Sequence, residues 1–294
     1  MRASAVAAVV FASHAWTIHA ASVGEAPREL HQWFAPQQWQ RDTDGPILSL
    51  GEPGRFDDTH IFAPAAAHEK DRFLFWYCGS RGSVADRVFR IGFATSLDGK
   101  RFEKHGTGPV LEFKDKERSI LTPALLRKPD GSALRENGKL RMWFSSTSFH
   151  DPSGLHTLHE ASSEDGLQWS DPSPAQLSNA YAPTILKTGR SYQMWYTDVS
   201  QDPWIIRRAD SEDGRRWETT PEPALELDQD WESGRLFYPT VVRSGGAHLM
   251  WCRKEPPSAN KYCAINTARW RGPEAETAAL RSPAMPPNRT NNLR

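Results

Sequence analysis

Cysteine is almost missing from this chain: Cys78, Cys252 and Cys263 are all it has in 294 residues. An odd count at no metal-ligand spacing excludes a disulfide framework and a zinc site. Each thiol lies in an apolar, strand-like run that suits a buried free cysteine. Neither sign of charge is in excess, with 36 basic and 36 acidic residues. A nucleic-acid partner favours a basic face, so none is expected. No metal or cofactor motif occurs, and no cofactor is expected. Only calcium on loop carboxylates stays open. Beyond the N-terminus no apolar run is long enough to cross a membrane, so the mature chain is expected to have no span.

The N-terminus itself is different. Arg2 precedes an apolar run from Ala3 to Trp16, and small residues follow at Ala20, Ala21 and Ser22. This pattern predicts a signal peptide over residues 1–22 and a secreted or periplasmic protein. At the other end, residues 271–294 are rich in proline, arginine and asparagine and read as a disordered tail. Tryptophan is abundant, with 12 residues. Most tryptophans are core, but an exposed indole face also suits a sugar ring.

A repeat organises what lies between. A proline inside a strand-like run recurs at Pro64, Pro123, Pro183 and Pro239, at intervals of 59, 60 and 56 residues. A strand centred on Trp76, Trp143, Trp195 or Trp251 follows each one, 12 residues on in three repeats and 20 in the second. A third element then recurs as ATSLDGKRF, ASSEDGLQW and ADSEDGRRW, and an apolar Pro-containing segment closes the unit. Asp-Gly is a hairpin signal because Gly accepts positive φ. Four short strands per unit with aromatic markers predict the blades of an all-β propeller over residues 30–270.

The stray segment WQRDTDGPILSLG, from Trp39, reads as a blade ending with no beginning, and the last repeat ends at INTARW without its own closing strand. The N-terminal strand is therefore expected to complete the final blade and close the ring.

Up-and-down blades sort the loops by face. The Asp-Gly turns fall on one face, where Asp98, Asp165 and Asp213 are expected to shape turns. The opposite face collects Asp57, Asp58, His60, Glu117, Arg118, Asn179, Tyr181, Asp230, Glu232 and Arg235 from between blades. Arg81, His150, Asp151, Asp198, Asp202 and Trp204 come from the loops between second and third strands. This predicts a funnel of carboxylates, cations and aromatic surfaces, the groups that hold sugars.

The stretches GRFDDTHIFAP, GKLRMWFSS, YAPTILKTGRSYQMWYTDV and WESGRLFYPTVV, with the A-S-x-D-G-x-x-W turns, resemble the five-bladed propeller of glycoside hydrolase families 32 and 43 over residues 39 to 270. The Asp-Gly turns are similar to the Asp boxes of sialidases, one residue shorter. The resemblance implies a β-propeller of the five-bladed glycosidase type, of which only four repeats are visible. It places a missing blade's worth of sequence between Leu249 and Lys254.

In those hydrolases an Asp commonly precedes the first-blade proline. Here Ala63, Thr122, Ala182 and Tyr238 hold those places. Any catalytic pair must come from higher in the funnel. Asp58 is the candidate base or nucleophile, Glu232 the acid, and Asp198 the group that positions them. His60, Arg81, Arg118, His150, Tyr181, Trp204 and Arg235 are the candidate substrate-binding residues. The expected function is a carbohydrate-active, glycoside hydrolase-like monomer. The alternatives are a non-catalytic carbohydrate-binding propeller and, more distantly, a phosphorylase-like reaction.

Overall fold

The computed structural model describes residues 40–41, 43–83, 85–226, 235–244, 247–255, 264–265 and 268–269. The proposed signal peptide, the tail, Cys263 and the catalytic candidate Glu232 lie outside the described residues. Every regular element described is a strand. Two short N-terminal strands, β1 (Gln40–Arg41) and β2 (Leu48–Ser49), precede the first blade. Blade one is β3 (His60–Glu69), β4 (Arg72–Ser80), β5 (Arg90–Ser96) and β6 (Glu103–Lys104), in that order across one antiparallel sheet. Blade two repeats it as β7 (Ser119–Leu125), β8 (Leu140–Thr147), β9 (Thr157–Ser163) and β10 (Leu177–Ser178). Blade three is β11 (Ala180–Thr188), β12 (Ser191–Asp198), β13 (Ile205–Ser211) and β14 (Glu218–Thr219).

The fourth unit begins with the hairpin β15 (Arg235–Ser244) and β16 (Ala247–Glu255). Its last pieces, β17 (Ala264–Ile265) and β18 (Ala268–Arg269), pair with the N-terminal strands. Ile265 stands opposite Leu48 and Ala268 opposite Arg41. Blade three repeats this spacing, with Ile206 opposite Leu225 and Ala209 opposite Thr219. The N-terminal segment thus takes the outermost place of the last blade. Its Ile47 and Leu48 pack on Ile61, Phe75, Tyr77 and Ala94 of blade one, which joins the two ends of the chain.

The described residues form four blades, matching the four sequence repeats. Leu249 to Lys254 lie inside one unbroken strand, and Trp251 pairs opposite Thr240 just as Trp195 pairs opposite Thr184. The register carries no discontinuity where a missing blade was expected.

Burial explains the tryptophan marker. Trp76 and Trp143 are fully enclosed and Trp195 is buried at 7% exposure. Trp76 and Trp143 face the seam to the next blade. Trp76 Nε1 donates to the carbonyl of Gly166 at 2.9 Å, and Trp143 Nε1 to that of Gly214 at 2.8 Å. A buried indole needs such a partner. The Trp251 side chain lies outside the described part.

The glycine partners belong to the Asp-Gly turns. Asp98, Asp165 and Asp213 each accept two backbone N–H bonds through Oδ1, from Lys100 and Arg101, Leu167 and Gln168, and Arg215 and Arg216. The three acids shape turns, as the sequence implied. Cys78 is a buried free thiol whose pKa is raised by burial.

The innermost strand of each blade carries a bulge at its proline. The register slips between Phe62 and Ala65, Leu121 and Ala124, Tyr181 and Thr184, and Phe237 and Thr240. The residue before each proline sits at positive φ: 47° at Ala63, 49° at Thr122, 51° at Ala182 and 57° at Tyr238. A non-glycine residue there is strained by roughly 1–3 kcal/mol. Only surrounding structure can hold it, and the four blades do so at equivalent points around one central channel.

Candidate functional site

The funnel face forms where each interblade loop meets a loop between second and third strands. In blade one Thr59 N donates to Ser80 O at 3.0 Å and its hydroxyl to Gly82 O at 2.7 Å. In blade three Val199 N donates to Asn179 O at 3.0 Å. The Leu236 amide donates to Trp204 O at 3.1 Å, which ties the blade-three loop to β15.

An aromatic cluster occupies this face between blades two and four. Tyr181, one residue before the strained Ala182, shares a 2.8 Å hydroxyl–hydroxyl hydrogen bond with Tyr238, itself the strained residue of β15. Their rings are 5.6 Å apart. Trp204 stands edge-on to Tyr181 at 6.1 Å. His156, from the blade-two loop, lies 4.8 Å from Tyr181 and 6.5 Å from Trp204. Arg235 covers the indole of Trp204 at 4.5 Å and its Nε donates to Asp202 at 2.9 Å. That pair holds the Asp202 carboxyl below the usual range, the Arg235 hydrogen bond being the main cause.

His156 is half-buried, and burial lowers its pKa. Its Nδ1 donates to Gly154 O at 2.8 Å, which leaves Nε2 as the acceptor of a neutral ring. Inclined indole and phenol rings together with a neutral imidazole and a guanidinium offer apolar faces and edges and several hydrogen-bonding tips. A sugar ring presents the complementary set.

The expected substrate-binding residues divide. Tyr181, Trp204 and Arg235 come together in the cluster. His60 is buried at 2% exposure with its ring 5.8 Å from Phe89, beneath the surface rather than on it. Arg118 is half-buried over Phe113 at 5.2 Å, just before β7 begins. Arg81 and His150 are exposed in their loops. His156 and Tyr238 complete the cluster and were not among the expected set.

Of the expected catalytic carboxylates, Asp58 and Asp198 lie among the described residues, and each accepts hydrogen bonds from its surroundings. Asp58 accepts from Gly54 N at 2.7 Å and from the Thr59 hydroxyl at 2.9 Å. The Gly54 bond above all, with the charge of Arg81 adding a little, keeps its pKa low. Asp198 is buried and receives Arg207 Nε at 2.5 Å and Ser200 N at 2.9 Å. Burial alone would raise its pKa, but the bonds from Ser200 and Arg207 outweigh it and the net shift is downward. Asp57 turns into the seam beside the N-terminal strand, where Tyr77 and Lys104 hold it at 2.8 and 2.5 Å. Glu232 and Asp230 lie outside the described residues. Among the described residues no group of three or more His, Cys, Asp or Glu side chains is placed to hold a metal ion.

No family model matches the chain. Two uncharacterised proteins of Mycobacterium tuberculosis, MT1551 and Rv1502, are each 28% identical to it over 218 residues, covering 70% of this chain and 70% of their own. Solved structures are similar at lower identity. BT0996, in a complex with RGII, has 18% identity and a TM-score of 0.59, covering 79% of this chain and 74% of its own. A glycosyl hydrolase from Bacteroides ovatus has 18% identity and a TM-score of 0.50, over 64% of this chain. A Bombyx mori family 32 β-fructofuranosidase has 16% identity and a TM-score of 0.50, over 72% of this chain.

The fold is that of the glycosidase-type β-propellers. This propeller spans 60% of the length of the Bacteroides ovatus hydrolase and 45% of the Bombyx mori enzyme. At these identities the likeness concerns the fold, and a propeller fold hosts more than one chemistry. No helix among the described residues is long and apolar enough to cross a membrane.

Proposed function

We propose that this propeller binds carbohydrate in its funnel, with a sugar ring held on the Trp204–Tyr181–Tyr238 cluster and its hydroxyls met by His156 and Arg235. The observation that carries this reading is the cluster itself: four aromatic or imidazole rings and a guanidinium from three blades, gathered at the mouth of the channel. Neighbours of the same fold are named for carbohydrate hydrolysis and for a complex with RGII, which makes a sugar the reasonable ligand class. We further propose secretion through the N-terminal leader and a monomeric state.

The described carboxylates do not favour hydrolysis. Glycoside cleavage asks for two carboxyl groups flanking one bond, about 5 Å apart for retention or roughly 6.5–9.5 Å for inversion. Asp58, Asp198 and Asp202 are each engaged by local donors, and the four pre-proline positions carry no acid. The second reading, a hydrolase with Asp58 as base or nucleophile, Glu232 as acid and Asp198 as positioning group, draws its support from the hydrolases that share the fold.

One pair of experiments separates the two. The purified chain is applied to an array of plant, algal and bacterial glycans, and separately to a panel of chromogenic glycosides. Saturable glycan binding without chromophore release is expected. Turnover lost in both Asp58→Asn and Glu232→Gln, with binding intact, would establish the hydrolytic reading instead.

A further inference from the structure

The central channel holds about 590 Å³ and is lined by the innermost strands of all four blades. That is the size of an ordinary small-molecule site. Its upper wall is apolar, made largely of the bulge prolines and alanines. Farther along, away from the funnel, its lining includes Arg127, Lys128 and Lys187 and, among the described residues, no Asp or Glu.

The three cations differ in what neutralises them. Lys187 is bound to Glu136 and to the hydroxyl of Tyr192. Arg127 donates through Nη1 to the backbone carbonyl of Ala66 at 3.1 Å, across the seam to blade one, and makes no ion pair with any described carboxylate. Neighbouring atoms crowd its guanidinium and lower its pKa, yet it stays open to solvent. Lys128 is exposed beside it. Asp130, two residues on, accepts from the amide and hydroxyl of Ser132 at 2.9 and 2.6 Å and also feels the charge of Lys128, which leaves Arg127 as the cation of the three without a described carboxylate nearby. An exposed guanidinium with no described carboxylate beside it is free to take an anion.

The sequence repeats this basic position. His68, Arg127, Lys187 and Arg243 each stand four residues after their blade's bulge proline. His68, Lys187 and Arg243 hold one register, opposite Phe73, Tyr192 and His248. On β3, β11 and β15 this position falls at one register, and Arg127 lies just past the end of β7.

We propose that the end of the channel remote from the funnel is an anion site, in which the Arg127 guanidinium and the Lys128 ammonium take a small tetrahedral oxyanion of the phosphate type. A planar fork and a point charge in the lining of one channel suit such an anion, one giving paired N–H donors and the other charge. The oxyanion is either free in solution or the head of a sugar-sized ester whose body fills the apolar part of the channel.

The test is calorimetric titration of the full chain with inorganic phosphate and with a hexose 6-phosphate, at constant ionic strength. Saturable binding is expected, at least tenfold weaker in Arg127→Met, weaker in Lys128→Met, and unchanged in Lys114→Met, whose exposed side chain pairs with Asp171. Equal affinity for both probes marks a free oxyanion, and tighter binding of the ester marks the head of a larger ligand. Either outcome supports the site. Absence of saturable binding by both probes overturns the proposal, as does undiminished affinity in Arg127→Met. If Arg127→Met fails to fold, Arg127→Lys and Lys128→Met carry the same comparison.

Discussion

The indole nitrogen of Trp143 reaches across the seam between blades two and three to the carbonyl of Gly214, 2.8 Å away. Gly214 is at φ +72°, and a Cβ there would stand 2.8 Å from Trp143 Cζ2 and 2.8 Å from Arg141 Nη2. The same turn thus supplies a left-handed backbone, a carbonyl acceptor and a flat floor for the indole. Gly166 plays the same part against Trp76, with its Cβ position 2.8 Å from that ring.

Gly214→Ala is therefore expected to lose about 2–4 kcal/mol, from left-handed strain and the displaced indole together. Gly189 is the control. It has φ +62°, but a Cβ added there would meet open space, so Gly189→Ala carries the backbone strain alone, about 1 kcal/mol. Urea unfolding of the two variants measures the difference. Equal losses would remove the indole contact from the account.

Acid should loosen the propeller through its low-pKa aspartates. Asp98 is held down to about 2, first by the Arg101 amide and then by that of Lys100. Asp165, Asp198 and Asp213 are lowered as well. Each carboxylate titrates lower folded than unfolded, where about 3.9 is usual. Their contribution is complete above the unfolded value and is lost as pH falls through the folded one. Stability should therefore drop between about pH 4 and pH 2. Asp198→Asn should flatten that drop while lowering stability at neutral pH, because Arg207 loses its carboxylate. An unchanged acid slope in Asp198→Asn would show that the Ser200 and Arg207 bonds do not hold this group below its unfolded value.

Much of this architecture could be read from the sequence, and the reasons are local. The bulge prolines, the Trp strands and the Asp-Gly turns are short patterns whose chemistry acts within a few residues. WQRDTDGPILSLG announced the closing strand because it copies the ending of a blade. The site was harder. Tyr181, Trp204 and Arg235 followed from loop position, whereas Tyr238 entered only as a residue that is not an acid. Its bond to Tyr181 joins positions 57 apart, a pairing set by how two blades face each other. His156 had a usable signal, since it shares its loop with His150. Asp58 and Asp198 were chosen for charge; the Gly54 bond to Asp58 closes within one loop, whereas the Arg207 bond to Asp198 depends on how β12 and β13 pair.

His156 gives the funnel a pH signature. Burial lowers its pKa below the ordinary 6.5, and the Gly154 bond offsets part of that. A neutral ring offers Nε2 as an acceptor, and protonation removes it. Glycan affinity should be flat from about pH 8 to about 6.5 and fall only at lower pH. His156→Phe should bind more weakly throughout and lose this transition. A wild-type transition above about pH 6.5 would contradict the lowered pKa.

Isothermal titration of the glycan selected on the array, against the wild-type chain, Trp204→Ala and Asp58→Asn, tests the central claim most directly. Trp204→Ala removes the indole that Arg235 covers and that stands edge-on to Tyr181. Loss of an aromatic anchor of this kind costs about 2 kcal/mol or more, a weakening of roughly thirtyfold. Asp58→Asn, whose carboxylate serves its own loop, should leave affinity within about twofold. Undiminished binding in Trp204→Ala, or binding abolished in Asp58→Asn, would contradict a sugar site built on the aromatic cluster.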